Sequence, residues 1–157
     1  ALGHVRDYIV GARLLYPDGL VQHAGVGFDT DGGPYNLWRL APAEHPEVMK
    51  RRFLPAVTFA CALIPQHIWE ELGGLDENYI NAYEDIDFCL RSREAGYQVV
   101  YDPSVTATHL EAQTAGRHDN DALSWRHWQD VWTKTGRIHY TLGSFPFSVQ
   151  RPQGGGQ

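Results

Sequence analysis

The hydrophobic residues of this chain fall into short runs that turn-forming residues separate. Residues 9–16 are rich in Ile, Val and Leu and predict a strand, which a Pro-Asp-Gly turn at 17–19 ends. Residues 20–28 predict a second extended segment that can pair with the first as a hairpin. Residues 56–64 are nearly continuously apolar, which is typical of a strand buried on both faces.

Helical spacing follows in the second half of the chain. Pro65 can occupy the first turn of a helix that ends at Gly73, because glycine accepts the left-handed conformation found after a helix C-terminus. Residues 84–95 predict a second helix with Gly96 as its stop, and a third helix is predicted to begin at Asp121. The third helix has a stripe of Trp125, Trp128 and Trp132.

Short extended segments and loops complete the pattern. Residues 98–101 and 105–109 predict two strands on either side of an Asp-Pro turn at 102–103. The predicted loops are residues 29–34, 35–52 and 75–83. Strands that alternate with helices in this way indicate an α/β or α+β domain.

The composition narrows the class of protein. With 157 residues, 43% hydrophobic and 20% charged, the chain has the size and make-up of one folded domain. Its formal charge is −6 and its longest basic run has three residues, which disfavours nucleic acid as a partner. The longest mostly apolar stretch has nine residues, about half of what a membrane helix needs, so we expect no transmembrane segment and no signal peptide in this chain.

The densest acidic feature is Glu84-Asp85-x-Asp87, at the predicted start of a helix. Carboxylates in the first turn of a helix accept its free N–H groups and contribute about 0.3–1 kcal/mol each, so the cluster can be a helix cap. It can also hold a general base, with Asp85 directed into a cleft at the edge of the sheet. The spacing alone leaves both interpretations open.

Other polar and aromatic groups have simpler explanations. The cluster of His118, Asp119, Asp121 and His127 is better explained by helix capping and exposure than by a metal site. The tryptophan stripe favours core packing over a sugar platform. Residues 29–31 (DTD) spell a DxD pattern but precede two glycines, which predicts a turn. Cys61 and Cys89 lack the spacing of zinc or redox sites.

Six short segments have an order and spacing that is specific when they are taken together. They are residues 11–19 (GARLLYPDG), 22–25 (QHAG), 59–64 (FACALI), 72–77 (LGGLDE), 84–91 (EDIDFCLR) and 95–97 (AGY). Across roughly residues 9–117 they resemble the second half of a family-2 glycosyltransferase, a family with the GT-A fold. The resemblance implies an α/β fold with a partial GT-A-like mixed sheet flanked by helices.

The resemblance implies roles for the acidic cluster. Asp85 matches the general base of the family's ED motif, which takes the proton from the acceptor hydroxyl. Glu84 matches its neighbour, which orients the base or the acceptor. Asp87 matches a position at which substrate contact and a supporting structural role are both open.

It also implies a sugar-binding floor and a metal ligand. Ala60 and Cys61 match the strand that lines the floor between donor sugar and acceptor, where small residues permit close approach. His109 matches a histidine that ligates the divalent ion, Mn²⁺ or Mg²⁺, on the donor diphosphate in metal-dependent relatives.

The chain departs from the family in its first half. The nucleotide-binding βαβ half and its DxD motif should precede residue 9, so we expect residues 1–117 to be an acceptor-side half that is inactive alone. Residues 118–149 are then a helical extension and residues 150–157 a flexible tail. The QxxRW signature of processive synthases is missing, since Val131 stands where Arg is required.

The implied function is inverting transfer of a sugar from a nucleotide-sugar to a saccharide or lipid-linked acceptor in bacterial polysaccharide biosynthesis. We expect a cytoplasmic protein, peripheral at the inner face of the membrane, that can form a homodimer. The alternative is a non-catalytic module in which aromatic residues and the 29–52 loop hold a carbohydrate or protein partner. The sequence upstream would discriminate between the two.

Overall fold

The computed structural model describes residues 8–110 and 117–142, with the side chains of 117–121 outside this description. Its central feature is a parallel pair of strands, β1 (Tyr8–Leu15) and β7 (Gln98–Thr108). The pairing runs from Tyr8 opposite Gln98 to Leu15 opposite Thr108. Because both strands are rich in buried β-branched and aliphatic residues, this pair forms the floor of the core.

Shorter strands extend this pair into a mixed sheet. The strands are β2 (Val21–His23), β5 (Arg52–Phe53) and β6 (Ala62–Leu63), all antiparallel to their neighbours. The order is β2-β1-β7-β5, and β6 pairs with the first half of β1. A separate hairpin consists of β3 (Val26–Phe28) and β4 (Pro34–Asn36).

Helices cover the sheet and complete a mixed α/β architecture. They are α1 (Gln66–Leu72), α2 (Glu84–Glu94), α3 (Arg117–Trp128) and α4 (Arg137–Leu142), with a π-helical segment at Gln129–Thr133. The predicted start of α1 after Pro65 is confirmed, and Gly73 ends that helix at φ 73°. The predicted α2 is confirmed to within one residue. The described part of the chain contains no helix long and apolar enough to cross a bilayer.

The prediction of a buried strand over residues 56–64 is wrong. Only the start of this run is buried, and a 3₁₀ turn at Phe59–Cys61 follows, in which Thr58 Oγ1 accepts the Ala60 N–H. The cause is a long-range contact: a Cβ on Gly11 would lie 2.5 Å from Val57 Cβ. The run therefore packs closely against β1 at this glycine, and only Ala62–Leu63 pair with β1, as the short strand β6.

Two smaller expectations also needed correction. The two strands predicted at 98–101 and 105–109 form the single strand β7, because the intervening residues form a bulge. There the register passes from Ala12 opposite Asp102 to Arg13 opposite Thr106. The Asp102 carboxylate accepts the Ser104 N–H at 3.0 Å, so the predicted turn is contained within the strand. The third helix begins at Arg117, so Asp121 is not its first residue.

The tryptophan stripe packs in the core, as predicted. Trp128 and Trp132 are fully buried, and Trp125 is half-buried against Tyr83. Trp128 stacks on Phe28 and donates its indole N–H to the carbonyl of Gly32, 3.1 Å away. The tryptophans therefore tie the third helix to the β3–β4 hairpin.

A buried carboxylate holds α2 in place. Asp87 is 1% exposed, and it accepts hydrogen bonds from Arg91 Nε at 2.7 Å and Trp132 Nε1 at 2.8 Å. The Tyr79 hydroxyl lies 3.4 Å away, and burial beside this negative charge raises the pKa of Tyr79. Arg91 also donates to the carbonyls of Leu72 and Gly74, so α2 is fixed to the end of α1.

We expect Asp87→Ala to lower the free energy of unfolding by about 3–5 kcal/mol, because it leaves the Arg91 guanidinium without its buried partner. Trp132→Phe removes one donor and should cost about 1.5–3 kcal/mol. Urea unfolding measures both. Asp130→Ala is the control, since it breaks only an exposed pair with Lys134 and should leave the urea midpoint in place. Equal midpoints for Asp87→Ala and the control would contradict this role of Asp87.

Candidate active site

An open cleft of about 200 Å³ lies at the N-terminus of α2. Three segments line it: the β3–β4 hairpin, the start of the 3₁₀ turn, and residues 81–86. The lining residues are Val26, Pro34, Tyr35, Asn36, Thr58, Asn81, Ala82, Tyr83, Glu84, Asp85 and Ile86. Amide, hydroxyl, carboxylate and aromatic groups therefore meet in one concave surface, which suits a polar ligand.

Two backbone N–H groups orient the carboxylate of Asp85. Oδ2 accepts the Phe59 N–H at 3.0 Å, and Oδ1 accepts the Ile86 N–H at 2.8 Å. The first bond comes from 26 residues earlier in the chain, so the carboxylate is held by tertiary structure as well as by its own helix. Because Asp85 remains only half-buried and lines the cleft, its other lone pairs can meet a ligand there.

The other two carboxylates of the cluster are placed differently. Glu84 lines the cleft beside Asp85. Asp87 lies in the core, where Arg91 and Trp132 occupy its oxygens. Of the two roles that the sequence left open for Asp87, this geometry favours the structural one.

The backbone that enters α2 is strained. Asn81 has φ 134° and Tyr83 has φ 73°, values that non-glycine residues seldom adopt. The ring of Tyr83 packs on Trp125 and Trp128, with centroids 5.8 and 5.7 Å apart, and this packing holds the left-handed conformation. Residues in such conformations cluster at functional sites, and sequence patterns gave no sign of them here.

The predicted sugar-binding floor at Ala60 and Cys61 lies in the 3₁₀ turn instead of in a strand. Ala60 is exposed and Cys61 is half-buried as a free thiol, while Thr58 is the residue of this segment that lines the cleft. Cys89 is buried against the carbonyl of Val57, and burial raises the pKa of its thiol.

His109 lies at the end of β7, where its Nδ1 is 2.8 Å from Gln22 Oε1. With Nδ1 donating to this carbonyl oxygen, Nε2 carries the lone pair that a metal ion would bind. In residues 8–110 and 117–142 no three His, Cys, Asp or Glu side chains come together as a metal-binding group. The orientation of His109 thus fits one metal ligand, while the described residues supply no complete set.

His23 is a site residue that the sequence analysis missed. Its ring is 1% exposed; Nδ1 lies 2.7 Å from Asn36 Oδ1, and Nε2 accepts the Thr58 N–H at 3.3 Å. Burial lowers the pKa of His23 to about 4, against the smaller raising effects of Asn36 and Asp85. In the sequence, His23 is marked only by its place in the QHAG segment, and that segment does not indicate what the histidine contacts.

The remaining candidates have structural partners. Asp29 Oδ1 accepts the N–H groups of Asp31 and Gly33 at 3.0 and 2.7 Å, as expected of a turn. His127 pairs with Asp76, 2.8 Å away; burial opposes ionisation of Asp76, but hydrogen bonds from the Asn78 N–H and from His127 outweigh it and hold the pKa of Asp76 below its usual value. The side chains of His118, Asp119 and Asp121 lie outside the described residues.

No family model matches the chain. Among curated proteins, it is 40% identical over 115 residues to the uncharacterized protein y4gI of Sinorhizobium fredii, a match covering 70% of this chain and 13% of that protein. It is 36% identical over 110 residues to the O-antigen biosynthesis protein RfbC of Myxococcus xanthus, covering 66% of this chain and 8% of that protein.

A third relative carries an enzyme name. The chain is 31% identical over 93 residues to the N-acetylglucosaminyl-diphospho-decaprenol L-rhamnosyltransferase of Mycobacterium tuberculosis, covering 59% of this chain and 28% of that protein. The chain thus spans less than a third of the length of each of these relatives. The resemblance to glycosyltransferases is confirmed at this coarse level: the chain is glycosyltransferase-like, with bacterial relatives.

Proposed function

We propose that this chain forms the acceptor-side part of the active site of an inverting glycosyltransferase, with Asp85 as the general base. The observation that carries the proposal is the geometry of Asp85: two backbone N–H groups orient its carboxylate at the wall of an open cleft. The names of two relatives, one a rhamnosyltransferase and one a protein of O-antigen biosynthesis, support transfer of a sugar.

In the proposed reaction the acceptor hydroxyl donates a hydrogen bond to Asp85 within the cleft. As the hydroxyl oxygen forms its bond to the anomeric carbon, its proton passes to Asp85. The bond from that carbon to the nucleoside diphosphate breaks on the opposite face, which inverts the configuration. Direct displacement of this kind needs one protein base, and general-base assistance is typically worth about 10²–10⁴ in rate.

The other candidate residues have binding and orienting roles in this proposal. Glu84 lies next to Asp85 on the same wall, where it can accept a second hydroxyl of the acceptor. A divalent ion would neutralise charge on the departing diphosphate, and His109 is a described residue whose orientation would suit it as a ligand. Ala60 and Cys61 stay as proposed sugar neighbours, in the 3₁₀ turn that follows Thr58.

We further propose a nucleotide-sugar donor, a GT-A-like fold for the whole domain and a lipid-linked saccharide as acceptor. The mixed sheet with helices on its faces is compatible with that fold. Support for this acceptor class comes from the rhamnosyltransferase relative, whose name contains an N-acetylglucosaminyl diphosphate on decaprenol. We therefore propose a role in the assembly of bacterial surface polysaccharide, which the name of the O-antigen biosynthesis relative supports.

The central test is Asp85→Asn in the full-length protein. Asn keeps the size of Asp and one oxygen for a backbone N–H, but its N–H₂ group faces the second N–H, so we expect the melting temperature to fall by a few degrees without loss of the fold. It cannot take a proton, so kcat should fall by about 10² or more. Transfer is measured as release of nucleoside diphosphate from nucleotide-activated sugars, including rhamnose, with an N-acetylglucosaminyl diphosphate lipid as acceptor.

Two matched variants control for this result. Asp102→Asn changes an aspartate that also accepts a backbone N–H, that of Ser104, but that lies in the bulge of β7, so it should leave kcat unaltered. Glu84→Gln should lower kcat less than Asp85→Asn if Glu84 only orients the acceptor. An active Asp85→Asn beside an inactive Glu84→Gln would move the base to Glu84. Full activity in both variants would make the motif a helix cap and would contradict a catalytic role for this segment.

A separate prediction concerns His109. His109→Ala should weaken Mn²⁺ binding to the full-length protein while the melting temperature without metal stays within a few degrees. His67→Ala is the matched control, because His67 is an exposed histidine on α1. Calorimetric titration of Mn²⁺ into the three proteins decides the matter. Equal affinities in all three would remove His109 from the proposed metal ligands.

A further inference from the structure

The buried ring of His23 joins two walls of the cleft. Nδ1 is 2.7 Å from Asn36 Oδ1 on the β3–β4 hairpin, and Nε2 is 3.3 Å from the backbone nitrogen of Thr58. Because a backbone N–H can only donate, Nε2 must be the acceptor, and the ring proton is therefore on Nδ1. Both partners line the cleft, while the ring itself is 1% exposed.

The hydrogen bond from Thr58 to His23 and the hydrogen bond that orients the proposed base come from consecutive residues. The N–H of Thr58 points to His23, and the N–H of the following residue, Phe59, points to Asp85 Oδ2 at 3.0 Å. The two peptide units are consecutive, so a rotation of the first changes the direction of the second. The Thr58 side chain fixes the same turn by accepting the Ala60 N–H.

We propose that His23 is a positioning residue, whose neutral ring holds the Thr58 peptide so that the Phe59 N–H keeps Asp85 aimed at the acceptor. Asn36 is held by the same ring on the facing wall, with its amide N–H₂ left to donate to the ligand. This inference rests on the proposed function, since it assigns a role relative to the proposed base.

A purely packing role does not account for this arrangement. Burying an imidazole costs free energy that an aliphatic side chain in the same strand would not, unless both nitrogens are bonded. Here both nitrogens are bonded, and each bond ends on a residue that faces the cleft. Lowering of the His23 pKa to about 4 keeps the ring neutral, which the acceptor role of Nε2 requires.

Two substitutions separate the two hydrogen bonds of the ring. The amide of Asn in His23→Asn reaches the place of Nδ1, so it can still bond Asn36 but leaves the Thr58 N–H without its acceptor. The longer side chain in His23→Gln reaches the place of Nε2, so its oxygen can accept the Thr58 N–H. Comparing the two variants tests the Thr58 bond by itself.

The experiment measures kcat and KM of the full-length protein with the donor and acceptor substrates used for Asp85→Asn. We expect His23→Asn to lower kcat about 10-fold or more, since small displacements of a catalytic group cost up to about 10². KM should change less than about threefold, because the substrate-binding groups remain. His23→Gln should recover most of the lost kcat.

If His23→Asn does not fold, NMR spectroscopy of the wild-type protein and of His23→Gln still tests the inference. In ¹⁵N-labelled wild-type protein, nitrogen shifts of the His23 ring should show the Nδ1–H form, unchanged from pH 8 to pH 5.5. His23→Gln should leave the Phe59 amide signal near its wild-type position. An Nε2–H form, or a ring that gains a proton in this range, would overturn the inference.

The Asp85→Asn reference separates two kinds of failure. If it is inactive while His23→Asn and His23→Gln both keep wild-type kcat, the proposed function stands and His23 has only a packing role. Equal losses of kcat in both His23 variants would also overturn the inference, since the Thr58 bond would then not matter. If Asp85→Asn is fully active, the proposed function fails and the role of His23 fails with it.

Discussion

The buried carboxylate of Asp87 is the constraint on which the site depends. A charge at 1% exposure must be paired, and its partners come from α2 itself, from the loop before α2 and from the π-helical segment near the C-terminus. Satisfying this one group therefore fixes the rotation of α2 about its axis. Since residues two apart on a helix differ by about 200° in direction, Asp85 then points away from the core and into the cleft.

This geometry explains how one short motif serves two purposes. The helix N-terminus favours negative charge at both positions. The carboxylate of Asp87 is fully hydrogen-bonded in the core. The 3₁₀ turn and the first peptide of the helix orient the carboxylate of Asp85 and leave it accessible. The acidic motif therefore combines a structural carboxylate, Asp87, which pairs with Arg91 and Trp132 in the core, with Asp85 on another face of α2, which lines the cleft.

Local rules predicted most of the fold, and long-range contacts account for what they missed. Proline and glycine marked the ends of α1, and the Pro-Asp-Gly turn marked the β1–β2 hairpin. The prediction of one buried strand over residues 56–64 was wrong because an apolar pattern does not show that Val57 packs against Gly11. In the candidate site, the position of Asp85 at the start of a helix could be predicted from the sequence. The hydrogen bonds of His23 and the left-handed backbone of Tyr83 could not be predicted, because the residues that contact these two side chains lie far away in the sequence.

The central claim is that the carboxylate of Asp85 meets the acceptor hydroxyl. The most direct measurement is an experimental structure of the full-length protein with an acceptor analogue and an unreactive donor bound. The account predicts that the reacting hydroxyl oxygen lies about 2.6–3.2 Å from an Asp85 carboxylate oxygen, inside the cleft between α2 and the β3–β4 hairpin. A bound acceptor whose reacting hydroxyl contacts Glu84 or another group, with Asp85 out of hydrogen-bond reach, would contradict it.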